Sequence, residues 1–333
     1  MNTTTQSRDL LLPLVTPRVA RSGEWLDGVY ARIVFSHLTE PGDTEAGQLT
    51  GMLGYREVLD LIQQPEPVER IQERLVALGV LMHDADIAAA VKRWLPRLNF
   101  KSIDDTLAVA ASKGIHVITE YDSQWPEGFF RLGSESPHVL WVHGNIDALN
   151  SGQSTVAIVG ARAATSYGEH VAMELAADLA TDHIIVSGAA YGIDGAAHRA
   201  CLAAGGTTVA YLAGGCDRPY PMGHAQLIER VTAKGAVVSE VPPGSAPTKW
   251  RFLARNRLIA AHGDATVVVE AGFRSGSLNT AGHADSLGKP LGAVPGPITS
   301  AASAGAHRLI QEFGAKLIIS ADDVRKLTGK EED

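Results

Sequence analysis

The sequence has only two cysteines, Cys201 and Cys216, too few for a disulfide framework or a four-thiolate metal site. It also lacks a long apolar run. Leu10-Leu11-Leu12-Pro13-Leu14-Val15 is too short to span a membrane, and Asp9 and Pro13 spoil it as a secretory signal. A cytoplasmic chain with no membrane contact is expected. Positive charge is scarce as well: 29 Lys and Arg against 37 Asp and Glu leave a net charge of −8 over 333 residues. That balance argues against a generally basic nucleic-acid binder. The deficit is uneven. Residues 1–150 hold 13 basic and 20 acidic side chains, and residues 151–333 hold 16 and 17, so the two parts carry −7 and −1. A site for a polyanion must therefore be local, and the second part is the place for it.

Several chemical signatures are missing too. Gly160 is followed next by Gly168, so the dinucleotide pattern G-x-G-x-x-G is absent, and no G-x-x-x-x-G-K-[ST] occurs. Gly272-Phe273-Arg274-Ser275-Gly276 misses the nucleophile elbow G-x-S-x-G by one position. His83-Asp84-Ala85-Asp86 lacks EF-hand spacing and reads as a solvated turn. His198, His224 and His283 form no H-x-x-x-H pair and read as packed or surface histidines. No cofactor and no metal are expected.

What the chain does have is a β/α alternation centred on Thr155–Ala200. Val156–Val159 and Ile184–Val186 are apolar, mostly β-branched runs, ended by Gly160 and Gly188 as buried parallel strands are. Ala172, Leu175, Ala176 and Leu179 recur at helical spacing between them. Asp194 stands where it could cap the next helix. Further strands are expected at 207–212, 236–240, 265–270, 290–294 and 315–319. The result is an α/β chain with a mostly parallel, Rossmann-like sheet covered on both faces. A tail at 1–20 and a small all-α domain at 21–100 precede it. An extension and linker at 101–150 follow, with strands at 116–119 and 139–142. Trp125-Pro126 and Phe129-Phe130 are expected to cover one end of the sheet. The Rossmann-like domain then covers 151–328 and leaves a tail at 329–333.

Candidate chemistry gathers at the carboxyl ends of these strands. Gly160-Ala161-Arg162, Ser187-Gly188, Gly214-Gly215 and Ser275-Gly276-Ser277 are turns whose backbone N–H groups can approach a phosphate. Open α/β sheets bind anions at this edge. Lys249-Trp250-Arg251-Phe252-Leu253-Ala254-Arg255-Asn256-Arg257 holds four cations and two aromatics with no acid. Cations meet phosphates and aromatic faces stack bases. Glu270 could be a catalytic carboxylate, though no second carboxylate is fixed beside it. Asp217 has a simpler turn role.

In order, V-A-I-V-G-A-R…Y-G, I-V-S-G-A-A-Y-G-I-D-G-A-A-H, Y-P, S-E-x-P-x-G-x-x-P, R-N-R-L-I-A, V-V-V-E-A-x-x-x-S-G-S-L-x-T-A and A-V-P-G resemble the DNA-processing protein A family, also called Smf. The match is collinear over about 110–320. The helical start, with Glu40-Pro41-Gly42-Asp43, is similar to that family's N-terminal (SAM-like) domain. The resemblance implies a non-enzymatic protein that binds single-stranded DNA, protects incoming strands and loads the RecA recombinase in natural transformation. It also implies a homodimer. Carried over by motif, Gly160, Arg162, Ser187, Gly188 and Gly192 would line the phosphate site. Arg255, Asn256 and Arg257 occupy R-N-R, and Ser275, Gly276 and Ser277 occupy S-G-S. Lys249 and Arg251 join them as cations, and Tyr191 as an aromatic. Three positions depart from the family: Ala161 stands for Ser or Thr, Tyr191 for Arg, and Met222-Gly223-His224 for a basic residue and Asn. The winged-helix module that many members carry is expected to be absent. The alternatives are a nucleoside-monophosphate phosphoribohydrolase, whose P-G-G-x-G-T-x-x-E motif is missing, and a nucleotide sensor.

Overall fold

The computed structural model describes residues 5–329, so the expected tail segments 1–4 and 330–333 lie outside it. Helices α1 (Thr5–Leu11), α2 (Pro17–Ala20), α3 (Gly23–Leu38), α4 (Thr44–Leu53), α5 (Tyr55–Ile62), α6 (Pro67–Ala77), α7 (Asp84–Trp94) and α8 (Phe100–Ser112) come first. The loose tail expected at the start is overturned over its described part. Leu11 and Val19 are fully buried and Leu14 is 1% exposed. The Ser7 hydroxyl donates to Asp104 (3.0 Å), and Arg8 pairs with Asp27 (2.9 Å). The apolar run that resembles a failed signal peptide is an anchor. Burying each such side chain contributes on the order of 1.5–3 kcal/mol.

Among the described residues nine strands form one sheet: β1 (Ile115–Ile118), β2 (Leu140–Gly144), β3 (Ser154–Val159), β4 (His183–Ser187), β5 (Thr208–Tyr211), β6 (Ala236–Ser239), β7 (Ala265–Val268), β8 (Leu291–Ala293) and β9 (Lys316–Leu317). Their order is β1-β2-β6-β5-β4-β3-β7-β8-β9. Strands β3 to β9 run parallel, and β1 and β2 add an antiparallel margin beside β6. From β3 to β8 the parallel strands are short, mostly apolar runs buried on both faces, as a sheet covered by helices requires, while the edge strand β9 is exposed. Side chains alternate between the faces. Val156 and Ile158 meet α9 (Ser166–Leu179) and α10 (Ile193–Ala203), and α15 (Ala321–Leu327) joins the same layer. Ala157 and Val159 point the other way, into the layer of α12 (Lys249–His262), α13 (Ser277–Ser286) and α14 (Ala304–Glu312). The N-terminal helices share a third buried cluster with β1, β2 and α11 (Ala225–Lys234), so they dock on the antiparallel margin. Trp125 and Phe129 are buried as expected, but Phe130 is 64% exposed.

Strand order reverses at β3, which has β4 on one side and β7 on the other. This is the switch point, where ligands bind in open α/β sheets. The turns leaving β3 and β4 touch there. Gly192 has φ +72°, and a Cβ on it would lie 2.2 Å from the Ala161 carbonyl oxygen. Ile193 N–H donates to that same oxygen (3.2 Å), which starts α10 against the first turn. Asp194 does not cap α10 as expected. Gly192 holds the cap position, and the Asp194 carboxylate turns back to accept from Gly188 N–H (3.2 Å).

Gly192→Ala should lower the unfolding free energy by about 3 kcal/mol, because positive φ and backbone overlap both oppose a side chain. Gly205→Ala is the matched control. It has φ +83° but meets nothing within 4 Å, and should cost about 1–2 kcal/mol. Urea titration measures both; equal losses would contradict the turn-on-turn contact.

Candidate functional site

A pocket of about 480 Å³ opens at the switch point. One wall is the turn after β3, Gly160 to Ala163. A second is α12, through Phe252, Arg255 and Asn256. The third is the loop from β7 into α13, through Arg274, Ser275, Gly276 and Ser277. Helix α13 opens toward the pocket with Gly276 at its cap, which has no side chain to occupy the place of an anion. The helix dipole favours negative charge there.

Three guanidinium groups serve the pocket differently. Arg162 and Arg274 are exposed on separate walls. Arg162 also lies over the Phe252 ring, 4.8 Å from its centroid. Arg255 is buried as the floor, where its Nη1 donates to the Tyr211 carbonyl. It fits because Gly188 has no side chain; a Cβ there would lie 2.1 Å from Nη1. The buried Arg255 Nε has no hydrogen-bond partner among the described residues. Burial lowers the Arg255 pKa to about 10, against the attraction of Asp194, so the group stays cationic near neutrality. Burial likewise raises the Asp194 carboxyl, while Arg255 and backbone N–H groups of the glycine turns pull it back.

Of the residues picked from the sequence, Gly160, Arg162, Arg255, Asn256, Ser275, Gly276 and Ser277 line this pocket. Asn256 is held by Asn279 Oδ1 (3.1 Å), and the Ser275 and Ser277 hydroxyls bond each other (2.8 Å). Others lie elsewhere, for clear reasons. Ser187 is fully buried, and its hydroxyl donates to the Ile158 carbonyl (2.6 Å), so it offers nothing to a phosphate. Gly188 and Gly192 pack the turns rather than line the cavity. Arg257 is 2% exposed and committed to Glu240 (Nη1 to Oε2, 2.8 Å) and to the Glu135 carbonyl (Nη2, 2.8 Å). Arg251 pairs with Glu40 of the helical region (2.9 Å). Lys249 is exposed at the start of α12, outside the lining. Tyr191 is 48% exposed, with its edge on His224 at 4.8 Å. Gly223 makes room for it, since a Cβ there would lie 2.5 Å from the Tyr191 hydroxyl. The departures at 191 and 223 are thus one packing unit.

Arg274 and Phe252 line the pocket without having been singled out from the sequence. The signal for Arg274 was a lone cation in the loop following a strand.

Glu270, the candidate catalytic carboxylate, is 3% exposed and accepts from Thr165 N–H (2.8 Å) and Thr165 Oγ1 (2.7 Å). It braces the start of α9. Asp217 accepts from Gly244 N–H (2.8 Å), the simpler turn role. His198 is fully buried against Thr208 (2.6 Å), and burial lowers its pKa to about 3. No group of three or more His, Cys, Asp or Glu among the described residues could hold a metal ion. No helix among them is long and apolar enough to cross a membrane.

A mostly parallel, Rossmann-like sheet with a pocket at its switch point defines the class of this α/β protein. Residues 116–329 match the family model described as DNA recombination-mediator protein A, and the chain belongs to that family. Its relatives carry the names DprA and Smf. A Mycobacterium tuberculosis DprA is 50% identical over 236 residues, 68% of this chain and 60% of that protein. A Bacillus subtilis DprA is 36% identical over 250 residues, 74% of this chain and 82% of its own. Among solved structures, DprA from Streptococcus pneumoniae superposes with TM-score 0.70 at 30% identity, covering 89% of this chain and 96% of that one. A second, described by the single-stranded DNA binding mode of DNA processing protein A from Helicobacter pylori, gives 0.59 at 28% identity, covering 66% and 97%.

Arg257→Met should lower the unfolding free energy by about 2–4 kcal/mol, because it leaves the Glu240 carboxylate, 11% exposed, without its partner. Denaturant titration measures this; a loss below about 1 kcal/mol would return Arg257 to the surface cations.

Proposed function

We propose that this protein binds single-stranded DNA by its phosphates in the switch-point pocket and passes the strand to the RecA recombinase, protecting incoming DNA in natural transformation and recombination. The observation that carries this reading is the placement of Arg162 and Arg274 on separate walls above the buried Arg255, beside aromatic rings. Phosphate contacts supply affinity without reading sequence. Phe252 packs on Tyr220 at 5.5 Å, and Tyr220 and Tyr191 are 44% and 48% exposed, so rings border the cations as base-stacking sites require. The Helicobacter pylori relative, described by its single-stranded DNA binding mode, supports the ligand class. The family's description as a recombination mediator supports the hand-over.

The protein acts in this reading as a binder in the cytoplasm and as a homodimer, not as an enzyme. Among the described residues lining the pocket, Asp194 is the sole carboxylate, and it lies beside Arg255. A pair of carboxylates for general acid–base catalysis therefore lacks its second member among those residues, and Glu270 is committed to Thr165. Nothing favours the phosphoribohydrolase or the nucleotide sensor over a strand.

Titration of labelled oligonucleotides against salt tests the reading. Log K should fall linearly with log salt concentration, and Arg162→Ala or Arg274→Ala should each reduce the slope by about 0.7, the value for one phosphate of a single strand. Salt-independent binding, or none, would contradict the phosphate site. Filament formation by purified recombinase on strands precoated with single-strand binding protein tests the hand-over; no acceleration would remove that part alone.

A further inference from the structure

We infer that a second base-stacking subsite lies on the α14 side of the pocket, with the exposed face of Phe273 as its platform. The inference rests on the single-stranded DNA reading. Phe273 stands between Gly272 and Arg274, both of which line the pocket, and is itself 62% exposed. A solitary exposed aromatic needs no explanation. This one differs in what surrounds it. The Arg308 guanidinium lies 5.3 Å from its ring centroid, and the same cation lies 5.5 Å from the Phe313 ring. Glu312 holds Arg308 in place by accepting from Nε (2.7 Å). Cation and ring therefore alternate from the pocket rim along α14: Arg274, Phe273, Arg308, Phe313.

The platform is fixed relative to the pocket. Gly305 N–H donates to the Ala271 carbonyl (2.7 Å), and a Cβ on Gly305 would lie 2.8 Å from the carbonyl oxygens of both Ala271 and Gly272. Helix α14 is thus seated directly on the loop that carries Phe273. Interleaved rings and cations are the chemistry that holds a flexible strand, because every base offers a π-face whatever its identity. Tyr220 and Phe252 form such a surface on the α12 side of the pocket. Phe273 supplies its counterpart across the cavity, so a strand with one phosphate over Arg255 reaches a ring on either side.

The test compares a thymidine oligonucleotide with an abasic strand of the same length and charge, by fluorescence anisotropy on the full chain. Phe273→Leu keeps apolar bulk and removes the π-face. It should weaken thymidine binding about tenfold and leave the abasic strand unchanged, and Phe273→Trp should restore wild-type binding. Equal losses on both strands, or no loss on either, would overturn the subsite. So would a fall in light-scattering mass for Phe273→Leu accompanied by equal losses, since a second copy of the chain would then cover the platform. If the wild-type protein binds neither strand, the reading of the pocket itself fails, a different result from either of these.

Discussion

The contact of Gly192 with the Ala161 carbonyl is the constraint on which the rest of the pocket depends. It brings the exits of β3 and β4 together and sets where α10 begins. That start places Asp194 under Gly188, whose missing side chain admits Arg255. Arg255 bonds the Tyr211 carbonyl and so ties α12 to β5. Phe252, on the same helix, then meets Arg162 from the first turn. The β7 side closes the ring: Ala161 N–H donates to the Glu270 carbonyl (2.7 Å), and the Glu270 carboxylate holds Thr165. Each glycine here marks a close approach that a side chain would block.

The charge pattern is uneven in a way that suits the proposed polyanion site. Its net charge of −8 arises mostly in residues 1–150. Screening confines surface charges to about a Debye length, roughly 8–10 Å, so distant acids matter little in the pocket. A buried guanidinium at the floor feels a lower dielectric than surface cations, and its attraction for a phosphate is stronger for it. The helical region also trims the rim. Although burial works against its charge, Glu40 is held below the usual carboxylate range by Arg251 and Arg97. One cation of the cluster on α12 is thereby bound within the protein.

Much of this was legible in the sequence. The inner parallel strands, β3 to β8, lie on apolar runs, since burial on both faces leaves that pattern little freedom. Two of the three pocket walls followed from glycine turns along one edge, and the third is α12. The cation cluster was harder to read. Arg255 and Arg257 are two positions apart on α12, about 200° around its axis, so both could not face one pocket. The one that turned away found Glu240, a partner from another strand's exit that local sequence could not identify. Ser187 was misjudged for a similar reason: its acceptor, the Ile158 carbonyl, belongs to the neighbouring strand. The early apolar run read as tail because Leu11, Leu14 and Val15 are buried in a cluster whose other members, such as Leu107 and Ile115, lie far along the chain. Tyr191 became interpretable only beside Gly223 and His224, which the fold brings to it.

The central claim is that a strand's phosphate lies at the switch point, between the turn after β3 and the start of α13. A crystal structure of the protein with a short thymidine oligonucleotide measures this directly. A phosphate should lie within hydrogen-bond distance of the Gly160–Arg162 turn or the Ser275–Ser277 loop, with Arg162 or Arg274 on its oxygens. A strand bound elsewhere, with this pocket free of phosphate, would contradict it.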